Sequence, residues 1–152
     1  MRGPLPMSQP PDFKLHHGAL SVSNLQRSME FYERVLGFKE SSRVSVPELS
    51  LDIVFIKKGD DYLELFCHQE ARELPEFSRD NETDFQVVGT KHVAFEVEDP
   101  QAFHKHLEEQ GVAALSEIYD NNPTYFYFFF RDPDGIPLEV IARKKPGVPS
   151  PA

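Results

Sequence analysis

The chain carries one histidine–glutamate pair twice at a single spacing. Glu64 follows His17 by 47 residues, and Glu139 follows His92 by the same 47 residues. The surrounding sequence repeats as well, because a valine stands five residues after each of the two histidines. The repeat indicates two copies of one folding unit. Two copies that each supply an imidazole and a carboxylate can place four metal ligands around one point.

The composition limits the classes of protein to consider. A chain of 152 residues is long enough for one domain with a real core. Its 16 basic and 25 acidic residues give a net charge of −9, so neither nucleic acid nor an anionic membrane is an expected partner. The single cysteine, Cys67, excludes an internal disulfide and a cysteine-rich zinc motif. No apolar stretch has the length of a signal-peptide core or a membrane span, so we expect a cytoplasmic protein.

The first half of the domain predicts a βαβββ module over residues 14–68. Alternating apolar residues indicate a first strand over 15–22. Asn24 is a typical N-cap for a helix over Leu25–Leu36, which Gly37 ends. Three further strands are predicted over 38–46, 50–57 and 61–68.

The second half predicts the same order of elements over residues 90–143. These are a strand over 91–97, a helix over 101–110, a short strand over 113–118 and strands over 125–131 and 136–143. A polar linker, residues 69–89, separates the modules, and we expect Asp132-Pro-Asp-Gly135 to be a simple turn. Residues 14–143 thus form one α+β domain, flanked by proline-rich tails over 1–13 and 144–152 that we expect to be flexible.

The strand positions of the repeated pairs predict a metal site. Two imidazoles and two carboxylates suit Ni²⁺, Co²⁺, Mn²⁺, Fe²⁺ or Zn²⁺, and two negative charges neutralise a divalent ion. We therefore predict that His17, Glu64, His92 and Glu139 hold one ion and leave open positions for water or substrate, as catalytic sites do. His16 competes for the first position, but the repeat favours His17 because its distance to the following valine equals that of His92.

Other reactive side chains have simpler interpretations. Cys67 lies three residues after Glu64, so it points to the opposite face of the strand and is predicted to be a buried thiol. His104 and His106 are predicted on the solvated face of the second helix. His68 shares the face of Glu64 and is a candidate for substrate contact.

Several phrases of the sequence together resemble one superfamily. They are the His17 strand, Ser28-Met-Glu-Phe-Tyr-Glu-Arg-Val-Leu-Gly-Phe38, Leu63-Glu-Leu65, Asp132-Pro-Asp-Gly135 and Leu138-Glu139. The chain resembles the vicinal oxygen chelate superfamily, which includes glyoxalase I, methylmalonyl-CoA epimerase, extradiol dioxygenases, and bleomycin- and fosfomycin-resistance proteins. The resemblance implies two tandem βαβββ modules that form a cupped mixed sheet around a metal site. It also implies a substrate that binds the metal through two oxygens, with stabilisation of an enediolate or a related oxyanion.

The number of ligand positions distinguishes members of this superfamily. In dioxygenases and fosfomycin enzymes the metal ligands follow a pattern of two histidines and one glutamate. In this chain that pattern would use His17, His92 and Glu139 and leave Glu64 unused. Glyoxalase I and the epimerase use all four positions, and the helix phrase Asn24–Tyr32 resembles bacterial glyoxalase I. The resemblance therefore implies a lyase or isomerase in which Glu64 and Glu139 are catalytic and Glu139 moves a proton next to a metal-bound carbonyl. The alternatives are an Fe(II) extradiol-type dioxygenase and a non-catalytic protein that binds a small molecule.

The resemblance also bears on assembly and substrate. The resemblance to glyoxalase I implies a homodimer. The long linker, residues 69–89, would let a module of one chain pair with a module of the other. Bacterial glyoxalase I resembles this chain but has an arginine where Ser21 stands and an asparagine where His68 stands, and residues 112–130 contain no lysine or arginine. Glutathione would find few cationic partners here, so we expect another small-molecule substrate. The predicted substrate contacts are Ser21, Tyr62, Phe66, His68 and Tyr127.

Overall fold

The computed structural model describes residues 10–146 of the chain. In chain order its helices and strands are β1 (His17–Ser21), α1 (Leu25–Leu36), β2 (Lys39–Val46), β3 (Leu51–Lys58), β4 (Asp61–His68), α2 (Asn81–Asp84), β5 (Val93–Glu96), α3 (Pro100–Glu109), β6 (Tyr125–Arg131) and β7 (Pro137–Arg143). The predicted α+β class with tandem modules is confirmed. The prediction of flexible tails falls largely on residues 1–9 and 147–152, which lie outside the described residues.

Helix α1 begins and ends where its local sequence signals predicted. The Asn24 side-chain oxygen accepts a hydrogen bond from the backbone N–H of Arg27 at 2.9 Å, and such a cap stabilises a helix by about 1 kcal/mol. Gly37 adopts φ +76°, a left-handed conformation that lets its backbone N–H bond the last carbonyls of the helix. Between these ends the helix buries one apolar face against the core, made by Phe31, Tyr32, Val35 and Leu36.

The first module forms a four-stranded mixed sheet in the order β1-β4-β3-β2. Strand β1 runs parallel to β4, while β3 is antiparallel to both of its neighbours. Alternate residues of β3 and β4 are buried on one face, namely Val54, Ile56, Leu63 and Leu65. Because side chains alternate between faces, Glu64 and its same-face neighbours point away from this core.

The second module forms a three-stranded mixed sheet in the order β5-β7-β6. The short strand predicted over 113–118 is wrong. This segment forms one isolated bridge, between Ala113 and Arg131, and one further backbone hydrogen bond to β6, from the N–H of Ser116 to the carbonyl oxygen of Phe129. Two local features explain the absence of a strand. Ala114 has φ +53°, which a strand does not tolerate, and the Ser116 hydroxyl accepts the backbone N–H of Phe129 that a strand carbonyl would otherwise bind.

The linker between the modules is folded and docked. It contains a 3₁₀ turn at Glu76–Arg79 and the short helix α2. The guanidinium of Arg131, only 8 % exposed, donates to the carbonyl oxygens of Ser78 and Gly135 and to the side chain of Asn81. These bonds fix the linker against the end of the second sheet. None of the helices in residues 10–146 is long and apolar enough to cross a membrane.

The apolar faces of the two sheets share one core with α1 and α3. A buried hydrogen bond also joins the modules, because the Tyr32 hydroxyl donates to Asp132 at 3.0 Å. The other carboxylate oxygen of Asp132 accepts the backbone N–H groups of Asp134 and Ile136. Burial raises the pKa of the Asp132 carboxyl. The pKa of the Tyr32 phenol is also raised, mainly by burial and to a lesser extent by the negative charge of Asp132. The predicted turn therefore also anchors one module to the other.

Candidate metal centre

The first histidine–glutamate pair lies on adjacent parallel strands of the first sheet. Ala19 on β1 is opposite Glu64 on β4. Because His17 and Ala19 lie on the same face of β1, Glu64 is the diagonal neighbour of His17 on that face. The Nε2 atom of His17 lies 3.0 Å from a carboxylate oxygen of Glu64. The two side chains are 32 % and 14 % exposed and face away from the shared core. The pair is therefore accessible while its carboxylate is mostly shielded from water.

The second pair repeats this arrangement on the second sheet. Ala94 on β5 is opposite Glu139 on the parallel strand β7, which is the same register as in the first module. The Nε2 atom of His92 lies 2.8 Å from a carboxylate oxygen of Glu139, and the side chains are 25 % and 17 % exposed. In both modules an alanine separates the two functional residues. Both alanines are exposed, so no bulky side chain stands at this position beside either pair.

An aromatic ring packs against each histidine, and sequence reasoning did not find this feature. Phe55 is opposite Glu64 across the β3–β4 hairpin, and its ring centroid lies 5.1 Å from that of His17. Phe129 is opposite Glu139 across the β6–β7 hairpin, and its ring lies 5.6 Å from that of His92. The two phenylalanines stand at unequal distances from their glutamates in the sequence, because the hairpins differ in length. Only the strand pairing reveals that they correspond.

The structure does not bring all four ligand candidates together within one chain. Residues 10–146 contain no group of three or more His, Cys, Asp or Glu side chains placed to hold one metal ion. Each pair nevertheless offers an imidazole nitrogen and a carboxylate oxygen, which are suitable donors for a divalent transition metal. Each pair thus fits half of the predicted four-ligand site. The complete site remains a prediction.

A groove lies at the carboxyl ends of β1 and β4, further along these strands than the first pair. Neither His17 nor Glu64 lines it. Ser21, His68, Glu70 and Arg72 line it. The Nδ1 atom of His68 accepts the backbone N–H of Glu70 at 2.9 Å, so a neutral His68 carries its proton on Nε2. Arg72 comes from the linker, and its guanidinium makes no ion pair with the rest of residues 10–146. Sequence reasoning missed Arg72 because nothing local shows where a linker residue will lie.

A second groove lies beside Glu139. It is lined by Asn121, Asn122, Pro123, Tyr125, Tyr127, Glu139 and Ile141. The Tyr127 hydroxyl donates to the Asn121 side-chain oxygen at 2.7 Å, so the amide N–H groups of Asn121 are not used in this bond. Lys144 holds the loop in place through the backbone carbonyls of Asp120 and Asn122. The predicted substrate-contact residue Tyr127 thus lies in the same groove as Glu139.

The remaining candidates have structural contacts. Tyr62 stacks on the ring of His16 at 5.2 Å. Cys67 packs against the core, but it is only partly buried rather than fully buried as predicted. The prediction that His104 and His106 lie on a solvated helix face is wrong. Their Nε2 atoms lie 2.8 Å and 2.9 Å from the carbonyl oxygens of Ser116 and Val35. Both carbonyls lie outside the regular hydrogen bonding of a strand or helix interior and take these imidazoles as partners.

The fold and the repeated pairs define a two-module α+β protein with one histidine–glutamate pair on each module. Residues 14–140 match the profile of the Glyoxalase/Bleomycin resistance protein/Dioxygenase superfamily, and the chain belongs to that superfamily. The family resemblance seen in the sequence is thereby confirmed.

Similar proteins include enzymes with different substrates. The chain is 29 % identical over 134 residues to the lactoylglutathione lyase of Neisseria meningitidis, covering 86 % of this chain and 91 % of the relative. It is 30 % identical over 106 residues to the mitochondrial methylmalonyl-CoA epimerase of Homo sapiens, covering 68 % of this chain and 57 % of the epimerase. The crystal structure of the glyoxalase family protein from Enterococcus faecalis superposes with a TM-score of 0.72 at 30 % identity, covering 84 % of this chain and 96 % of that one.

Proposed function

We propose that the protein is a divalent-metal-dependent lyase or isomerase that moves a proton at a carbon next to a carbonyl of a small molecule. The observation that carries this proposal is the pair of His–Glu sites in one strand register on two sheets. Matching histidine and glutamate positions, with a phenylalanine ring against each histidine, are more than chance surface residues would produce. The similarity to a lyase and an epimerase supports the same reaction class.

We propose further that two chains pair to complete each site. A pair supplies two ligands, whereas the predicted site needs four, and both pairs face away from the core of their own chain. A two-fold dimer would set the His17–Glu64 pair of one chain against the His92–Glu139 pair of its partner. The same operation creates a second, identical site. The resulting centre has two imidazoles and two carboxylates, so a bound divalent ion is neutralised.

Within this centre we assign the proton transfer to Glu139. A bound divalent ion would polarise the substrate carbonyl and stabilise the negative charge that develops when the neighbouring carbon loses its proton. Glu139 lines the groove that also contains Tyr127, so its carboxylate can reach a substrate there and accept and return that proton. Phe129 packs beside His92 and lies opposite Glu139 in the pairing of β6 with β7, so an apolar ring borders this carboxylate. Glu64, 14 % exposed beside His17, is the second acid–base candidate.

The grooves support a substrate other than a glutathione conjugate. Arg72, Ser21 and the Nε2–H of His68 can bind one anionic group of a substrate. Glutathione has a second carboxylate, and residues 112–130 supply no cation for it. Lys144 approaches this segment from the end of β7, but its ammonium group is bound to Asp120 and the neighbouring carbonyls. We therefore propose a small carbonyl compound with one anionic group.

Hydrogen exchange tests the reaction class without knowledge of the natural substrate. The protein, loaded with Ni²⁺, Co²⁺ or Zn²⁺, would be incubated in D₂O with small hydroxycarbonyl compounds that carry one anionic group, with their uncharged counterparts, and with methylmalonyl-CoA for comparison. We expect metal-dependent deuterium incorporation next to a carbonyl, reduced about 10²- to 10⁴-fold in Glu139→Gln, the usual contribution of an acid–base residue. Glu33→Gln, on the exposed face of α1, is the matched control.

The same preparations separate the alternatives. Glu139→Gln must retain its metal for the comparison to hold, which elemental analysis checks. Exchange that is unchanged in Glu139→Gln would contradict the assignment of the proton transfer. Oxygen uptake by the Fe²⁺-loaded protein with catechols, in place of exchange, would identify a dioxygenase instead.

A further inference from the structure

His16 contacts the first metal-ligand candidate directly. Its Nδ1 atom lies 2.8 Å from the Nδ1 atom of His17, and the two rings meet at 88° with centroids 5.1 Å apart. This distance is that of a hydrogen bond between two ring nitrogens. We propose that His16 is a positioning residue that fixes the orientation and the tautomer of His17 for metal binding. This inference rests on the proposed metal site.

The position of His16 is itself fixed, although the residue is exposed. Its ring stacks on Tyr62 with centroids 5.2 Å apart and planes inclined by 14°. Tyr62 lies directly opposite His17 in the pairing of β1 with β4. The stack therefore connects His16 to the strand that carries Glu64. Tyr62, a predicted substrate contact, is thus also the platform for this imidazole, and it lines one groove together with His16 and His17.

The hydrogen bonds determine which nitrogen carries each proton. A neutral His17 that donates from Nε2 to Glu64 has a bare Nδ1, so His16 must donate to it. A metal ion can bind Nε2 of His17 only when that nitrogen has no proton, so the proton must then lie on Nδ1. In that state His16 accepts the hydrogen bond and carries its own proton on Nε2. His16 can serve both states because an imidazole nitrogen can donate or accept.

Partners of this kind affect metal affinity. A metal-bound histidine usually donates its other ring N–H to an acceptor, which holds the ring and makes the ligating nitrogen more basic. His16 would provide this acceptor for His17.

The second pair has no equivalent of His16. The residue before His92 is Lys91, whose ammonium group binds the carbonyl oxygens of Asp84 and Val87. Within residues 10–146, the Nδ1 atom of His92 has no hydrogen-bond partner. The two pairs share a register but differ in this contact, so the effect we propose concerns the His17 pair alone.

Two substitutions separate hydrogen bonding from ring packing. His16→Phe keeps a ring that can stack on Tyr62 but has no hydrogen-bonding atom, whereas His16→Asn keeps a donor or acceptor at the δ position. We expect His16→Phe to weaken Zn²⁺ binding by roughly 10- to 100-fold, the usual effect of losing such a partner, and His16→Asn to restore most of the affinity. Competition with a chromogenic chelator measures the affinities, and thermal melting confirms that both variants fold.

Nitrogen NMR of ¹⁵N-histidine-labelled protein provides a readout that a purely structural role would not change. We expect metal-free protein to show His17 protonated at Nε2, and Zn²⁺-loaded protein to show it protonated at Nδ1, with the opposite exchange at His16. Equal Zn²⁺ affinity of His16→Phe and the unmodified protein, or a His17 tautomer unchanged by Zn²⁺, would overturn the inference alone. Absence of Zn²⁺ binding by the unmodified protein would overturn it together with the proposed function.

Discussion

The proposed sharing of each metal site between two chains can be tested by complementation. One variant, His17→Ala with Glu64→Ala, lacks the first pair, and the other, His92→Ala with Glu139→Ala, lacks the second. In a homodimer of either variant, every shared site would have lost half of its ligands. We therefore expect neither variant alone to hold stoichiometric metal.

The arrangement of the pairs determines how much metal binding should be recovered when the two variants are mixed. In a mixed dimer, one site combines the two intact pairs and the other combines the two deleted pairs. Random pairing of equal amounts makes half of the dimers mixed, so about one quarter of all sites in the mixture should bind metal. A site built within one chain predicts no recovery, because each chain in the mixture lacks one pair.

The assay is co-expression of the two variants with different affinity tags. Sequential purification on both tags isolates mixed dimers, and elemental analysis should then find about one metal ion per dimer, half of the content of the unmodified protein. Recovery of exchange activity in the same fraction would show that the restored site is functional. Mixed dimers without metal, or a protein that light scattering shows to be a monomer, would refute the shared site.

Three further predictions concern stability and substrate. Tyr32→Phe removes the buried hydrogen bond to the Asp132 carboxylate and should destabilise the fold by about 1.5–3 kcal/mol. For a domain of this size that loss lowers Tm by roughly 3–12 °C. Tyr125→Phe is the matched control, and equal melting temperatures of the two variants would contradict a stabilising role for the Tyr32–Asp132 bond. Because burial raises the pKa of Asp132, the stabilising contribution of its protonated form is present below its unfolded value of about 3.9 and is lost as the pH rises through the folded pKa. Asp132→Asn should therefore gain stability relative to the unmodified protein with rising pH, and a difference in urea unfolding free energy that does not change with pH would oppose this. With the methylglyoxal–glutathione hemithioacetal as substrate, the Ni²⁺-, Co²⁺- or Zn²⁺-loaded protein should form S-lactoylglutathione with a kcat/KM below about 10⁴ M⁻¹s⁻¹. The reason is that each missing contact to a glutathione carboxylate lowers the rate roughly 10- to 150-fold. A higher kcat/KM would show that the protein uses glutathione as its thiol carrier.

The sequence alone determined the local structure and the pairing of functional residues. Asn24 and Gly37 defined α1 because capping depends on side chains and backbone angles within one turn. The repeated spacing of 47 residues correctly associated His17 with Glu64 and His92 with Glu139. It could do so because both modules pair their first and last strands in parallel with one register.

The tertiary structure decided how distant segments meet. Arg72 reaches the groove of Ser21 because the linker is docked, and His104 and His106 bind carbonyls of other elements that no helical pattern identifies. The chain also holds its two pairs apart, since the apolar faces of the sheets bury each other and leave the ligand-bearing faces outside. Spacing along the sequence is a one-dimensional quantity and contains no information on which faces pack together. That depends on the burial of apolar surface by the whole domain.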